Sequence, residues 1–187
     1  MENILSAIQS RKIDCKVVGI ISDRKAPGAE ERASRYGMAV TVIDRKSPDF
    51  HHDLEEDLEA MNPDLLVLSG FLSILPEAVL ERFPQRIINS HPAILPCFGG
   101  MGMYGKKVHE KVIASGARIT GCTVHFVTGE VDGGPIISQA TVPVLDSDTP
   151  ESLQDRVKEA EHRLMIKTLA DLTTMKYSVS GNRVIFR

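Results

Sequence analysis

The sequence contains no tryptophan and only three cysteines among its 187 residues. Cys15, Cys97 and Cys122 are far apart in the chain and form no Cys-x-x-Cys motif. This scatter argues against a structural metal site and is typical of proteins from a reducing compartment. We therefore expect a cytoplasmic protein that holds no metal.

An excess of positive charge is also absent. The chain carries 22 Lys and Arg against 25 Asp and Glu, with no basic run. A protein that binds the phosphates of nucleic acids needs clustered Lys and Arg, so nucleic acid is not an expected partner. No apolar run approaches about 18 residues and no charged-then-apolar leader opens the chain, so we expect neither a membrane span nor a signal peptide.

Short apolar runs alternate with helix-like segments along the chain. Strands are predicted at 17–21, 40–43, 64–70, 86–88, 119–127, 135–144 and 177–186. Helices are predicted at 3–12, 27–36, 53–61, 76–83 and 106–115, and from Thr149 onward, where Pro150 follows a capping residue. The run at 64–70 is apolar throughout, as in a strand buried on both faces. The length fits one domain, and the alternation predicts an α/β fold with an open, mostly parallel sheet and helices on both faces.

Polar residues follow the apolar pair Ile87-Ile88. In an open α/β sheet ligands bind at the carboxyl ends of strands, so Asn89 and His91 are the first candidates for a functional site. Ser90 lies between them and points to the other face of an extended segment, so it is not a predicted nucleophile. The alternative is a simple turn before Pro92.

A carboxylate follows at a turn that contains two glycines. Asp132-Gly133-Gly134 lies between two strand-like runs, where a ligand can approach the backbone closely. A hairpin turn without any function also accepts Asp-Gly. The distances between Asn89, His91 and Asp132 distinguish a site from three unrelated turns.

Taken together and in order, three segments resemble the phosphoribosylglycinamide formyltransferases. These segments are Asn89 to Pro96, His125 to Val127, and Val131 to Ile137. The residues from Phe98 to Gly105 resemble the longer glycine-rich loop of some members. The resemblance extends from about Asn3 to the C-terminus.

The resemblance implies a Rossmann-like formyltransferase fold. It further implies transfer of a formyl group from 10-formyltetrahydrofolate to the amino group of glycinamide ribonucleotide, in purine biosynthesis, with no metal and with small molecules as partners of a monomer or homodimer. Asn89 and His91 would donate hydrogen bonds to the oxyanion that forms, and Asp132 would hold the His91 imidazolium.

Further site residues are also implied by the resemblance. His125 would lie near the transferred formyl group, although a lone histidine in a strand is usually structural. Glu161 falls in the apolar stripe of the last helix and would bind the ribose hydroxyls; the alternative is that it reaches solvent. The folate contacts would be Leu72, Ser73, Ile74, Leu75, Thr128, Gly129, Glu130 and Val131.

In the resembled family a first strand and a glycine-rich phosphate loop precede the helix at 3–12. Neither is found in this sequence, so we expect an N-terminally truncated catalytic domain. The sequence does not decide whether this domain is active. Three alternatives remain: a related folate enzyme, such as a formyltetrahydrofolate hydrolase or a methionyl-tRNA formyltransferase; a non-catalytic folate-binding remnant; and a plain α/β domain whose polar residues only form turns.

Overall fold

The computed structural model describes residues 1–187, which form two compact units, Met1–Ile87 and Ile88–Arg187. Each unit combines helices with β-strands, so the predicted α/β class is confirmed. No helix is both long and apolar enough to cross a membrane.

The first unit contains four helices and three short strands. In chain order these are α1 (Glu2–Gln9), β1 (Ile21–Ser22), α2 (Pro27–Ser34), β2 (Thr41–Val42), α3 (Phe50–Met61), β3 (Leu66–Leu68) and α4 (Glu77–Arg82). Strands β1 and β2 are parallel, with Ile21 opposite Thr41. Apolar side chains from the helices form the core, among them Leu5, Ala33, Leu54, Leu58 and Val79.

The strands of this unit are shorter than the apolar runs that predicted them. Residues 17–20 lie outside the β1–β2 ladder, because β2 offers partners only for Ile21 and Ser22. The expectation that 64–70 is buried on both faces is wrong, since β3 covers only Leu66–Leu68 and is half-buried. An apolar run specifies a strand, but what packs over that strand decides how much of it is buried.

The second unit is built on the strands β4 (Ile87–His91), β5 (Ile119–Phe126), β6 (Ile136–Pro143), β7 (Tyr177–Ser180) and β8 (Arg183–Phe186). They lie side by side in the order β4-β5-β6-β8-β7. The β6–β8 pair is parallel and the other three pairs are antiparallel, so the sheet is mixed. Strand β5 is buried from Thr120 to Phe126, which places it at the centre of the unit.

Two helices complete this unit, α5 (Lys106–Ala114) and α6 (Pro150–Thr174). Helix α6 packs on β5 and β6 and against α5. Its buried stripe includes Leu153, Val157 and Leu164, as the helical spacing predicted. The start of α6 is also as predicted, because Thr149 and Ser152 form a reciprocal capping box ahead of the first turn.

Thr149→Ala removes the hydroxyl that accepts a hydrogen bond from the backbone N–H of Ser152. We expect the free energy of unfolding to fall by about 0.5–2 kcal/mol, the usual cost of losing an N-terminal cap. Urea unfolding measures this change. Thr173→Ala, near the other end of the same helix, is the matched control, and equal losses for both variants would contradict the capping role.

Candidate active site

The pairing of β4 with β5 brings three of the predicted residues to one face of the sheet. Asn89 lies opposite His125, and His91 lies opposite Thr123. Because side chains alternate along a strand and paired residues share a face, Asn89, His91 and His125 project to the same side. Ser90 projects to the other side, as predicted from the extended segment.

The turn before β6 carries Asp132 in a left-handed backbone conformation, with φ of 58°. Gly134, two residues later, has no room for a side chain, since a Cβ there would lie 1.9 Å from the carbonyl oxygen of Phe126. The sequence predicted that a ligand approaches the backbone at these glycines. At Gly134 the group that approaches is the backbone carbonyl of Phe126. This approach fixes the turn that presents the carboxylate.

The carboxylate of Asp132 is surrounded by three groups of the same unit. Its Oδ2 accepts a hydrogen bond of 2.9 Å from the backbone N–H of Gly100 and lies 3.3 Å from His91 Nδ1. Its Oδ1 lies 3.7 Å from His125 Nε2. The predicted convergence of His91 and Asp132 is thus present in the fold, which argues against unrelated turns.

Both ring nitrogens of His91 face oxygen atoms. Nδ1 faces the Asp132 carboxylate, and Nε2 donates to the carbonyl oxygen of Phe98 at 2.8 Å. A carbonyl and a carboxylate can only accept, so the doubly protonated imidazolium satisfies both contacts. The side chain is 4% exposed, so these two partners replace most of its contact with water.

The ring of His125 carries a proton on Nδ1. Its Nδ1 lies 2.9 Å from the carbonyl oxygen of Phe126, which can only accept, so Nδ1 is the donor. Burial lowers the pKa of His125, more strongly than the hydrogen bond to Phe126 and the charge of Asp132 raise it. In the neutral ring Nε2 is an acceptor, and this buried atom has no hydrogen bond.

A third histidine, His109 on α5, is buried in the same unit and is 1% exposed. Burial lowers its pKa, and the charge of His91 lowers it further. Its Nδ1 is buried without a hydrogen bond. His109 thus packs within the core of the second unit.

The turn after His91 is held by the hydroxyl of Thr123. This hydroxyl donates to the carbonyl oxygen of Ala93 at 2.8 Å and accepts from the backbone N–H of Leu95 at 3.0 Å. The amide of Gln139 donates to the Leu95 carbonyl and to the same hydroxyl, both at 3.0 Å. These bonds fix the chain between His91 and the glycine-rich loop.

The side chain of Asn89 is half-buried and forms no hydrogen bond within the protein. Its amide is therefore available to a ligand on the face that carries His91. On the other face, Ser90 Oγ donates to Glu161 Oε1 at 2.5 Å. Glu161 is half-buried on α6, and this hydrogen bond holds one of its two oxygens.

The predicted folate contacts lie in both units, and each group is described within its own unit. In the first, Leu72 and Ile74 are 50% and 69% exposed, Leu75 is buried, and Ser73 Oγ donates to Asp23 Oδ2 at 2.7 Å. Leu75 packs into the core, so the apolar surface open to a ligand comes from Leu72 and Ile74. In the second unit the whole predicted segment is exposed, namely Thr128, Gly129, Glu130 and Val131.

Sequence reasoning missed the two backbone groups that complete the site, the carbonyl of Phe98 and the N–H of Gly100. Backbone groups leave no signature in a sequence. The only available signal was the density of glycines from 99 to 105, which marks a loop able to approach other groups closely.

This fold is that of a class of transferases. The chain belongs to the formyl transferase family, whose model matches residues 1–169. Within this family, the chain is similar to phosphoribosylglycinamide formyltransferases.

Three comparisons illustrate the similarity. The chloroplastic phosphoribosylglycinamide formyltransferase of Arabidopsis thaliana is 40% identical over 161 residues, which cover 82% of this chain and 54% of that protein. The enzyme of the same name from Mycobacterium tuberculosis is 38% identical, over 89% of this chain and 76% of its own length. The crystal structure of glycinamide ribonucleotide transformylase 1 from Symbiobacterium toebii is 36% identical and superposes with a TM-score of 0.91, over 99% of this chain and 87% of that one.

The formyltransferase fold inferred from the motifs is therefore confirmed. The chain spans about half the length of the plant relatives that it matches.

The lowered pKa values of His109 and His125 make stability depend on pH. At His109 and His125 the unfolded chain, with histidine pKa near 6.5, binds more protons than the folded chain as pH falls. We therefore expect these two histidines to contribute a decrease in the free energy of unfolding from pH 7.5 to 5.5. His109→Leu should reduce this decrease by up to about 1.4 kcal/mol.

Urea unfolding at the two pH values measures the effect. The carboxyls whose pKa is lowered, Asp148 by Arg156 and Glu151 by Lys106, remain ionised throughout this range. His51→Gln, at an exposed position of α3, should keep the pH dependence of the unaltered protein. The same dependence in His109→Leu as in His51→Gln would contradict the assignment to His109.

Proposed function

We propose that the protein transfers a formyl group from 10-formyltetrahydrofolate to the amino group of glycinamide ribonucleotide, a step of purine biosynthesis. The observation that carries the proposal is the His91–Asp132 pair, at 3.3 Å, on the face where Asn89 has a free amide. Membership of the formyl transferase family supports the reaction type. The names of the relatives supply the substrate.

In this reaction the substrate amine attacks the formyl carbon and produces a tetrahedral oxyanion. A new carbon–nitrogen bond forms to the amine, and the bond to the folate nitrogen breaks. Hydrogen-bond donors fixed beforehand at the developing charge lower the barrier most effectively. The Asn89 amide supplies such a donor, and the adjacent His91 imidazolium supplies positive charge.

The protons must also move. The attacking amine loses a proton and the departing folate nitrogen gains one, which makes that nitrogen a better leaving group. His91 Nε2 is the proton donor of this proposal. Because Nε2 is bonded to the carbonyl of Phe98, proton transfer to the folate requires this hydrogen bond to break first.

Asp132 keeps His91 charged and oriented from the other side of the ring. Its carboxylate also orders a water molecule that accepts the proton of the amine. The backbone N–H of Gly100 holds the same carboxylate oxygen, so the glycine-rich loop contributes to its orientation. The acceptor Nε2 of His125, 3.7 Å from Asp132, lies where the formyl group and the amine meet in this scheme.

The remaining predicted residues bind the two substrates. Glu161 accepts hydrogen bonds from the ribose hydroxyls, and the exposed segment from Thr128 to Val131 contacts the folate. For the segment from Leu72 to Leu75 in the first unit we retain the prediction of folate contacts, supplied mainly by the exposed Leu72 and Ile74. A cytoplasmic location is part of the same proposal, because all three cysteines are unpaired.

Asn89→Ala should lower the turnover of purified protein roughly 100-fold or more, because it removes a fixed donor to the oxyanion. Asn182→Ala, in the exposed turn between β7 and β8, is the matched control and should keep full turnover. Formyl transfer measured with glycinamide ribonucleotide gives the ratio, and thermal melting checks the fold. A folded Asn89→Ala protein with near-normal turnover would remove Asn89 from the mechanism.

Asp132→Asn tests the partner of His91. Asparagine tolerates the left-handed backbone at this position, so the change removes the charge and keeps the turn. Turnover should fall by about 100-fold, within the range for lost acid–base assistance, while folate binding is retained. Asp146→Asn, at an exposed carboxylate that pairs with Arg118, is the control, and an unchanged rate in Asp132→Asn would refute the pairing.

A further inference from the structure

Strand β4 carries a second pair of polar side chains on the face opposite His91. Ser90 Oγ donates to Glu161 Oε1 at 2.5 Å, across 71 residues of sequence. Ser90 is paired with Val124 of β5, which is fully buried, so the serine stands on a well-packed part of the sheet. Asn89 and His91, the neighbours of Ser90 in the chain, project from the other face of the same strand.

No Lys or Arg forms a salt bridge with Glu161. Arg163, two residues later on α6, pairs with Glu159 instead, at 3.9 Å. Ser90 donates a hydrogen bond to Glu161 and occupies only Oε1. A half-buried carboxylate that forms no salt bridge is costly, and Oε2 keeps its full capacity to accept hydrogen bonds.

The chemistry of the free oxygen indicates what it can bind. A carboxylate oxygen accepts hydrogen bonds, so the free Oε2 recognises hydroxyl or N–H donors. Burial and the charge of Glu161 raise the pKa of the Cys122 thiol to about 12, so this thiol adds no second negative charge beside the carboxylate. The ribose hydroxyls that the proposed function assigns to Glu161 are donors of this kind.

We propose that Ser90 is a positioning residue that fixes the Glu161 carboxylate for the ribose diol of the substrate. This inference rests on the proposed function. The serine side chain has a single rotatable bond to its hydroxyl, and it stands on a strand, so it restricts the carboxylate at little entropic cost. Ser90 does not touch the reacting atoms, so its effect falls on substrate affinity rather than on the chemical step.

The test separates affinity from turnover in Ser90→Ala, Ser90→Cys and Ser90→Thr. Loss of a hydrogen bond to a charged group should raise KM for glycinamide ribonucleotide about tenfold or more in the Ala and Cys variants. Their kcat and their KM for 10-formyltetrahydrofolate should stay within about twofold of the unaltered protein. Ser90→Thr retains the hydroxyl and should restore KM. An unchanged KM in the Ala and Cys variants would overturn the proposal.

The chain offers a closely matched control in Ser138. This serine also lies on a strand, β6, and its hydroxyl forms a 2.5 Å hydrogen bond with Thr168 of α6. Ser138→Ala therefore removes the same kind of contact between sheet and helix without touching Glu161. It should leave KM for the ribonucleotide near normal. Equal increases for Ser90→Ala and Ser138→Ala would show a purely structural role and would overturn the proposal.

A substrate analogue that lacks the 2′-hydroxyl provides an independent readout. The unaltered protein should discriminate strongly between the ribose and deoxyribose forms, and Ser90→Ala should lose most of this discrimination. An unreduced ratio in Ser90→Ala would overturn the inference even if KM had changed.

Calorimetric binding of glycinamide ribonucleotide distinguishes failure of the inference from failure of the proposed function. If the unaltered protein binds this ligand but transfers no formyl group, the proposed function fails. Weaker binding by Ser90→Ala and Ser90→Cys then still supports the role of Ser90. Equal binding by all variants, or no binding to the unaltered protein, would overturn it.

Discussion

The carboxylate of Asp132 is the group on which the rest of the site depends. It lies at a backbone conformation that few residues other than glycine adopt, held there by the close approach of Gly134 to the carbonyl of Phe126. From this position it faces His91 and accepts the N–H of Gly100. The turn that contains Asp132 therefore contacts both His91 on β4 and the glycine-rich loop at Gly100.

The charges around this carboxylate follow from the same geometry. His91 lies between two acceptors, one of which is the Asp132 carboxylate. His109 and His125 are buried, and burial lowers the pKa of each. His125 donates through Nδ1 to a backbone carbonyl, so its neutral ring presents Nε2 as an acceptor. Donors and acceptors are in place before any substrate arrives, which is what electrostatic stabilisation of an oxyanion requires.

The two faces of strand β4 carry different polar side chains. Asn89 and His91 lie on the face of the proposed chemistry, while Ser90 directs the Glu161 carboxylate on the other. The alternation of side chains in a strand makes this division possible within three consecutive residues. The chain that carries both faces belongs to the formyl transferase family.

The sequence by itself determined the elements that depend on neighbouring residues, such as the helix start at Thr149 and the order of helices and strands. It also indicated Asn89, His91 and Asp132 as candidate site residues, because short polar motifs after apolar runs are visible without a fold. Tertiary structure alone decided the extent of β3, the neutral state of His125 and the contact between His91 and the Phe98 carbonyl. The physical reason is that burial, desolvation and backbone hydrogen bonds depend on segments distant in the chain, and no local pattern encodes which of them will meet.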